Sequence, residues 1–190
     1  FVVKANAYGH GMVPVAKKAW ESGVRWFAVA HIDEAVSLRR VLPQANIIMV
    51  GVISSQELHV AIENRVLPFV VSLRHAEELS DAVSDNFLYC HVKVDTGMGR
   101  LGIDWEKGAD TVASIMKMRN IEVTGISTHL ASTDSPDRSF ADIQASRFKD
   151  VIAGLEKKGL KIPFKHVSNS GAILQESAWD YDGVRPGIML

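Results

Sequence analysis

Cysteine is nearly absent: Cys90 is the only one in 190 residues, which excludes an internal disulfide. It sits in the apolar run Phe87-Leu88-Tyr89-Cys90, where a buried structural thiol is expected rather than a reactive one. Such low cysteine use suits a reducing compartment, so a cytoplasmic protein is expected. No run of about 18 apolar residues occurs, which argues against a membrane-spanning helix, and no signal peptide is visible. Charge of one sign is not in excess either. The 21 basic and 22 acidic residues leave a net charge of -1, which gives no basis for a nucleic-acid or anionic-membrane partner. Low-complexity linkers and internal sequence repeats are missing. The histidines lack close ligand spacing on a shared element, so no metal site is expected.

What is present is ordinary core material, with 47% hydrophobic and 23% charged residues. Short β-rich runs alternate with longer amphipathic segments. The strand candidates are 1–5, 25–30, 46–50, 67–72, 87–95, 121–128, 164–168 and 183–188. Most are continuously apolar, as in a parallel sheet covered on both faces. Helical spacing places Val13, Ala16, Ala19 and Trp20 on one face, and Ile143, Phe148, Val151, Ile152 and Leu155 on another. Gly23 and Gly159 follow such segments as C-terminal caps, and Ser54 and Ser135 precede others as start signals. A helical segment follows each of the first seven strand candidates. This alternation predicts an α/β fold, a parallel (β/α)8 TIM-type barrel, with an open doubly wound sheet as the alternative. The sequence opens on Phe1 inside a strand-like run and closes on Gly187-Ile188-Met189-Leu190 without a turn. Both ends read as cut, so the barrel is expected to be incomplete at both termini.

Barrel chemistry sits where strands end, and each polar cluster lies at such an end. Lys4 closes an apolar strand, where burial disfavours the ammonium and frees the amine to attack a carbonyl. On physical grounds alone, a surface lysine is an equally good reading. Gly9 and Gly11 permit a sharp turn beside it. Alternation puts His91, Lys93 and Asp95 on one strand face, with a glycine-rich loop presenting Arg100. His129 closes the sixth strand. Asn169-Ser170-Gly171 ends the seventh, as phosphate capture at a helix N-terminus or as an ordinary N-cap by Ser170. Arg185 and Gly187 lie in the eighth, and loops seven and eight are frequent phosphate sites in such barrels.

The run Lys4-Ala5-Asn6-Ala7-Tyr8-Gly9-His10-Gly11 closely resembles the cofactor-lysine signature of alanine racemases. Lys93-Val94-Asp95-Thr96-Gly97-Met98-Gly99-Arg100 resembles a second motif of that family. The five clusters follow the family's order from Phe1 to Leu190. The resemblance implies pyridoxal 5'-phosphate as cofactor and Lys4 as its imine-forming lysine. It gives Tyr8, Asn169, Ser170 and the backbone of Gly187 and Ile188 to the phosphate, His129 to the face of the pyridine ring, and Arg185 to the ring nitrogen. It gives Arg100 to the phenolic oxygen and substrate carboxylate, so Lys4, Arg100 and His129 are the implied catalytic set. It makes Lys93 a candidate for carbamylation, holding Arg100 in place; a pairing of Lys93 with Asp95 stays equally open. The implied reaction interconverts L- and D-alanine, supplying D-alanine for bacterial peptidoglycan, in a homodimer. Residues 1–190 would be the cofactor-binding barrel domain, with the family's C-terminal β domain absent. In the family the second acid-base group is a tyrosine of the partner subunit, and Tyr8, Tyr89 and Tyr181 do not match it. Rival readings are a serine or broad-specificity racemase on the same scaffold, a non-catalytic pyridoxal-phosphate barrel, and a cofactor-free sugar-phosphate enzyme.

Overall fold

The computed structural model describes residues 1–83, 86–175 and 179–189. Leu190, the last residue of the resemblance, lies outside them. The strands are β1 (Trp26–Val29), β2 (Asn46–Val52), β3 (Val66–Val70), β4 (Leu88–Asp95), β5 (Ile103–Asp104), β6 (Ile121–Ser127), β7 (Phe164–Asn169) and β8 (Gly183–Arg185). All pair in parallel, in the order β1-β2-β3-β4-β6-β7-β8, with β5 attached to β4. Residues 1–3 fill the remaining gap. Val2 bridges Ala28 of β1, while its N–H donates to the Pro186 carbonyl at 2.8 Å, just past β8. The result is the expected parallel barrel, nearly closed around seven main strands. The sequence missed β5, whose two residues are too few to show a pattern.

Helices surround the barrel: α2 (Met12–Glu21), α3 (Ile32–Val41), α4 (Leu58–Glu63), α5 (Leu73–Val83), α6 (Gly108–Ile115), α7 (Ser139–Lys157) and α8 (Ser170–Leu174). Gly23 and Gly159 do cap α2 and α7, at φ 97° and 73°. The next residues, Val24 and Leu160, donate back to Ala19 and Leu155, which is the Schellman pattern. Ser54 pairs with Glu57 at the start of α4, both its N–H and its hydroxyl donating to one carboxylate oxygen. Ser135 does not cap α7; Asp137 takes the Ser139 N–H instead.

The first expected strand, 1–5, is corrected. Pairing ends at Val3, and the chain then makes one left-handed turn, α1 (Lys4–Tyr8), with φ of 51°, 54°, 52° and 53° at Ala5, Asn6, Ala7 and Tyr8. Non-glycine residues resist this conformation by about 1–2 kcal/mol each. Local bonds hold it: Ala7 N–H to the Val3 carbonyl at 2.8 Å, Gly11 N–H to the Asn6 carbonyl at 2.9 Å, and Met12 N–H to Asn6 Oδ1 at 2.8 Å.

Strand alternation sorts the side chains into two environments. Phe27, Val29, Val92, Val94 and Ile126 point outward and are buried under the helices with Leu38, Leu79, Ile115 and Phe148. Cys90 lies in this shell, where burial pushes its thiol pKa up to about 12, as suits an inert structural residue. Inward-facing positions carry Trp26, Phe69, His91, Lys93, Ser127, Phe164, His166 and Ser168. Trp26 and Phe164 stack at 4.9 Å as a floor across the barrel. Phe148 is wholly buried between α7 and the outer shell. Phe148→Ala is expected to lower the unfolding free energy by about 3–5 kcal/mol, read as a shifted urea midpoint. A change below about 1 kcal/mol would contradict this core assignment.

Candidate active site

The C-terminal ends of the strands surround a cavity of about 570 Å³. Its walls include Lys4, Tyr8, Lys93, Arg100, His129, Asn169, Ser170, Arg185 and Ile188. Every site residue implied by the family resemblance lines this space except Gly187, which packs against its wall; His91 and Asp95, also noted from the sequence, do not line it. A Cβ on Gly187 would lie 2.7 Å from the Tyr8 hydroxyl and 3.0 Å from Val2, so only glycine fits.

Arg185 is the anchor of the site. Its Nη1 donates to the His166 carbonyl at 2.8 Å and to His166 Nδ1 at 2.9 Å. Its Nη2 donates to the Thr128 and Val167 carbonyls at 2.7 and 2.8 Å, and lies 3.5 Å from His129 Nδ1. Nε–H makes no hydrogen bond among the described residues and is the donor left to offer a ligand. Desolvation lowers the guanidinium pKa to about 10, which still leaves it charged at neutral pH.

The neighbours respond to this charge. Burial, then Arg185, Lys93, Arg100 and Lys4, drive the His129 pKa down to about 3, so its ring is neutral and able to lie flat on an electron-poor heterocycle. Burial and Arg185 bring Lys93 down to about 7, with Asp95 opposing and Arg100 reinforcing. Lys93 Nζ donates to the Val94 carbonyl at 2.7 Å rather than to Asp95. Asp95 instead accepts from the N–H groups of Gly97 and Gly99 at 2.9 Å. The glycine-rich loop is thereby fastened, and it carries exposed Arg100 to the cavity rim.

The phosphate-type loop is braced from the loop after β6. Asn169 Oδ1 accepts from the Thr133 hydroxyl at 2.7 Å and from Ala172 N–H at 3.1 Å, and Nδ2 donates to the Leu130 carbonyl at 3.0 Å. Asn169, not Ser170, is therefore the N-cap of α8. The Ser170 hydroxyl accepts from Gly187 N–H at 3.0 Å, which leaves its own proton for a ligand. Gly171 lies so close to Thr133 that a Cβ would sit 2.5 Å from Oγ1.

Sequence reading missed several supports. Glu34 takes the Ala5 N–H at 2.6 Å on one oxygen and the Ala30 and His31 N–H groups at 2.7 and 3.2 Å on the other. It thus ties the residue after Lys4 to the start of α3. The signal was a glutamate three residues after His31, in capping-box spacing. Wholly buried Gln144 holds the His129 segment, accepting from Ala131 N–H at 2.8 Å and donating to the His129 carbonyl at 3.2 Å. It had no sequence signal beyond a polar residue on an apolar helix face. Met98, Leu101 and Asp134 also line the cavity and went unnoticed. Among the described residues no cluster of His, Cys, Asp and Glu could hold a metal ion, and no helix is long and apolar enough to cross a membrane.

A parallel barrel with an amine, a neutral imidazole and a buried guanidinium around a cavity at its C-terminal mouth is a scaffold for a small-molecule site. The family model of the alanine racemase N-terminal domain matches residues 1–190, and the chain belongs to that family. It is 37% identical to an alanine racemase of Carboxydothermus hydrogenoformans, and 40% identical to one of Methanococcus maripaludis. Both alignments cover all of this chain and 52% of the relative, so the chain spans about half the length of these relatives. A solved alanine racemase of Clostridium difficile in complex with cycloserine superposes with a TM-score of 0.92 at 33% identity, covering 99% of this chain and 52% of that one. One from Bacillus anthracis with bound L-Ala-P gives 0.90 at 35%, covering 98% and 49%.

The depressed His129 pKa has a consequence for stability. Unfolded chains bind more protons than folded ones between about pH 3 and the ordinary imidazole value of 6.5. Stability from keeping this ring neutral is thus present above that window and lost as pH falls through it. Urea midpoints at pH 7 and pH 4 are expected to differ less in His129→Asn than in the parent chain. An equal fall in both would contradict the neutral-ring assignment.

Proposed function

We propose that this chain is the cofactor-holding barrel of a pyridoxal-phosphate-dependent alanine racemase that works as a homodimer. The observation that carries the reading is the convergence of Lys4, His129, Ser170 and Arg185 on one cavity. The residues present fit the group. Lys4 offers an amine to the aldehyde and His129 a neutral ring to the pyridine face. Arg185 Nε–H is the free donor for the ring nitrogen. The Tyr8 and Ser170 hydroxyls and the Ile188 backbone suit a phosphate, with Asn169 holding their loop and the Gly187 N–H orienting the Ser170 hydroxyl. Bound there, pyridoxal phosphate would supply electron withdrawal that acidifies the α-proton of an attached amino acid.

The chain's own residues then set the outcome. Arg185, held charged by three carbonyls, donates to the ring nitrogen rather than surrendering a proton to it. That moderates electron withdrawal and favours simple proton return over side reactions. Lys4 is the acid-base group on one face. Racemisation needs a second on the opposite face, and we assign it to a tyrosine of the partner subunit. Arg100, on the rim with a guanidinium that makes no hydrogen bond or ion pair among the described residues, suits the substrate carboxylate. Lys93, with its pKa near 7, has enough free amine at neutral pH to add carbon dioxide. In that step the amine lone pair forms the N–C bond as one C=O π bond opens onto oxygen, the nitrogen gives up a proton to solvent, and the carbamate anion is left within the field of Arg185 and Arg100. Ile188, an apolar residue of the cavity lining that is 75% accessible, suits coverage by another protein surface.

The test uses the full-length protein. It is expected to bind pyridoxal phosphate with visible absorbance, and to racemise L-alanine faster than L-serine. Lys4→Ala is expected to lose that absorbance and at least about 10³-fold in rate, the scale for removing a nucleophilic acid-base group. A borohydride-reducible adduct persisting in Lys4→Ala would overturn the assignment. Serine turnover above alanine turnover would favour the broader racemase, and cofactor binding without turnover the carrier protein.

A further inference from the structure

Behind the cavity, the interior of the barrel holds two histidines that the proposed chemistry does not use. His91 of β4 is wholly inaccessible and His166 of β7 is 1% accessible. His91 Nδ1 lies 3.0 Å from His166 Nε2, and His166 Nδ1 lies 2.9 Å from Arg185 Nη1. These contacts form an unbroken polar line from the cavity wall to the barrel floor. It ends at His91 Nε2, which is buried and has no hydrogen-bond partner among the described residues.

We propose that His91 is a positioning residue for Arg185, acting through the tautomer of His166. The direction of the line is forced. A guanidinium has donors and no acceptor. His166 Nδ1 must therefore accept, so the His166 proton sits on Nε2. That proton needs an acceptor, and His91 Nδ1, 3.0 Å away, supplies it. The His91 proton is then on Nε2, where it finds no acceptor among the described residues. Trp26 and Phe164 lie 6.0 and 5.8 Å from the His91 ring, centre to centre. On the remaining side, a Cβ at Gly125 would come within 2.5 Å of the ring. The imidazole therefore fills a slot that an apolar ring of similar size would fill without an orphaned N–H. Such a donor destabilises the folded state. Packing alone does not account for a histidine here; supplying an acceptor to His166 does.

Without that acceptor, His166 gains by moving its proton to Nδ1. An Nδ1–H would face Arg185 Nη1 donor to donor. The guanidinium would lose its one side-chain acceptor at close range and turn away from it. The proposal rests on the reading that Arg185 faces the cofactor's ring nitrogen, but its first readout does not need the cofactor. Both histidines stay neutral in this scheme, in keeping with their lowered pKa values beside Arg185.

The experiment compares full-length parent, His91→Phe and His91→Gln proteins. Gln returns an acceptor oxygen to the slot and Phe does not. Nitrogen NMR of the cofactor-free proteins is expected to show His166 protonated at Nε2 in the parent and His91→Gln, and shifted toward Nδ1 in His91→Phe. The thermal midpoint of His91→Phe is expected to equal or exceed the parent's. With pyridoxal phosphate bound, His91→Phe is expected to show a displaced visible absorbance maximum. Its racemisation should fall about tenfold to a hundredfold, the scale for misplacing a reacting group, with most of the rate restored in His91→Gln. An unchanged His166 tautomer in His91→Phe would overturn the proposal. So would a changed tautomer with parental spectrum and rate. Failure of the parent to bind pyridoxal phosphate would instead overturn the reading of the site, while the tautomer measurement still decides the relay.

Discussion

One buried cation organises the cavity. Arg185 spends four N–H groups on the carbonyls of Thr128, His166 and Val167 and on His166 Nδ1. Those bonds fasten β8 to the ends of β6 and β7, so the guanidinium is a structural cross-tie before it is a ligand. A charge in low dielectric is tolerable only when its donors are satisfied. Once it is tolerated, it dictates the ionisation of its surroundings. His91, His129, His166 and Lys93 all have lowered pKa values, with Arg185 the leading charge behind burial in each case. A carboxylate in their place would pair with the arginine and neutralise it. A second full cation would repel it by a few kcal/mol even at an effective dielectric constant of about 20. Neutral bases are what this position allows.

The second constraint is backbone strain at the entry to the cavity. Lys4 follows the residues that close the barrel, and the chain must leave the sheet at once to bring Tyr8 against Gly187. Four successive non-glycine residues accept positive φ to do so. The unfavourable conformation persists because it is over-determined. Glu34 takes the amide of Ala5, and Asn6 closes the turn from both its backbone and its side chain. The lysine therefore sits at the junction between sheet pairing and a tied turn, which restricts its backbone more than a surface loop would.

Much of this was legible in the sequence, for identifiable reasons. Covered parallel strands are apolar throughout, so seven strand candidates, such as 46–50 and 121–128, match observed strands to within a few residues. The family motifs put Lys4, Tyr8, His129 and Arg185 in one site because each lies at the end of a paired segment of the same barrel or in the turn that directly follows it. The first strand was misread because the pattern Phe1–Ala5 carries no mark of a left-handed turn; the cause lies in Glu34, some thirty residues on. Phosphate binding by Asn169 was read from its place beside a serine and a glycine, whereas its amide is committed to Thr133, Leu130 and Ala172. Only tertiary contacts reveal that commitment. The His91–His166 contact spans three strands' worth of sequence, and no spacing rule joins residues so far apart.

Stability and function also occupy different faces of the same strands. On β4, Val92 and Val94 are buried against helices, while His91 and Lys93 alternate with them toward the barrel interior. The outer shell is apolar and close-packed, and supplies the burial that holds the fold together. The inner face carries a buried imidazole nitrogen with no hydrogen-bond partner among the described residues and a lysine shifted toward neutrality, neither of which favours folding, beside the guanidinium that ties the strand ends together. A one-residue slip of β4 would exchange these faces, burying two ionisable side chains under helices and pointing valines into the cavity. Register is thus enforced by the apolar shell, and that enforcement is what allows the interior to be polar. The barrel can hold reactive groups at its centre because the residues between them, read alternately, belong to a core that does not depend on them.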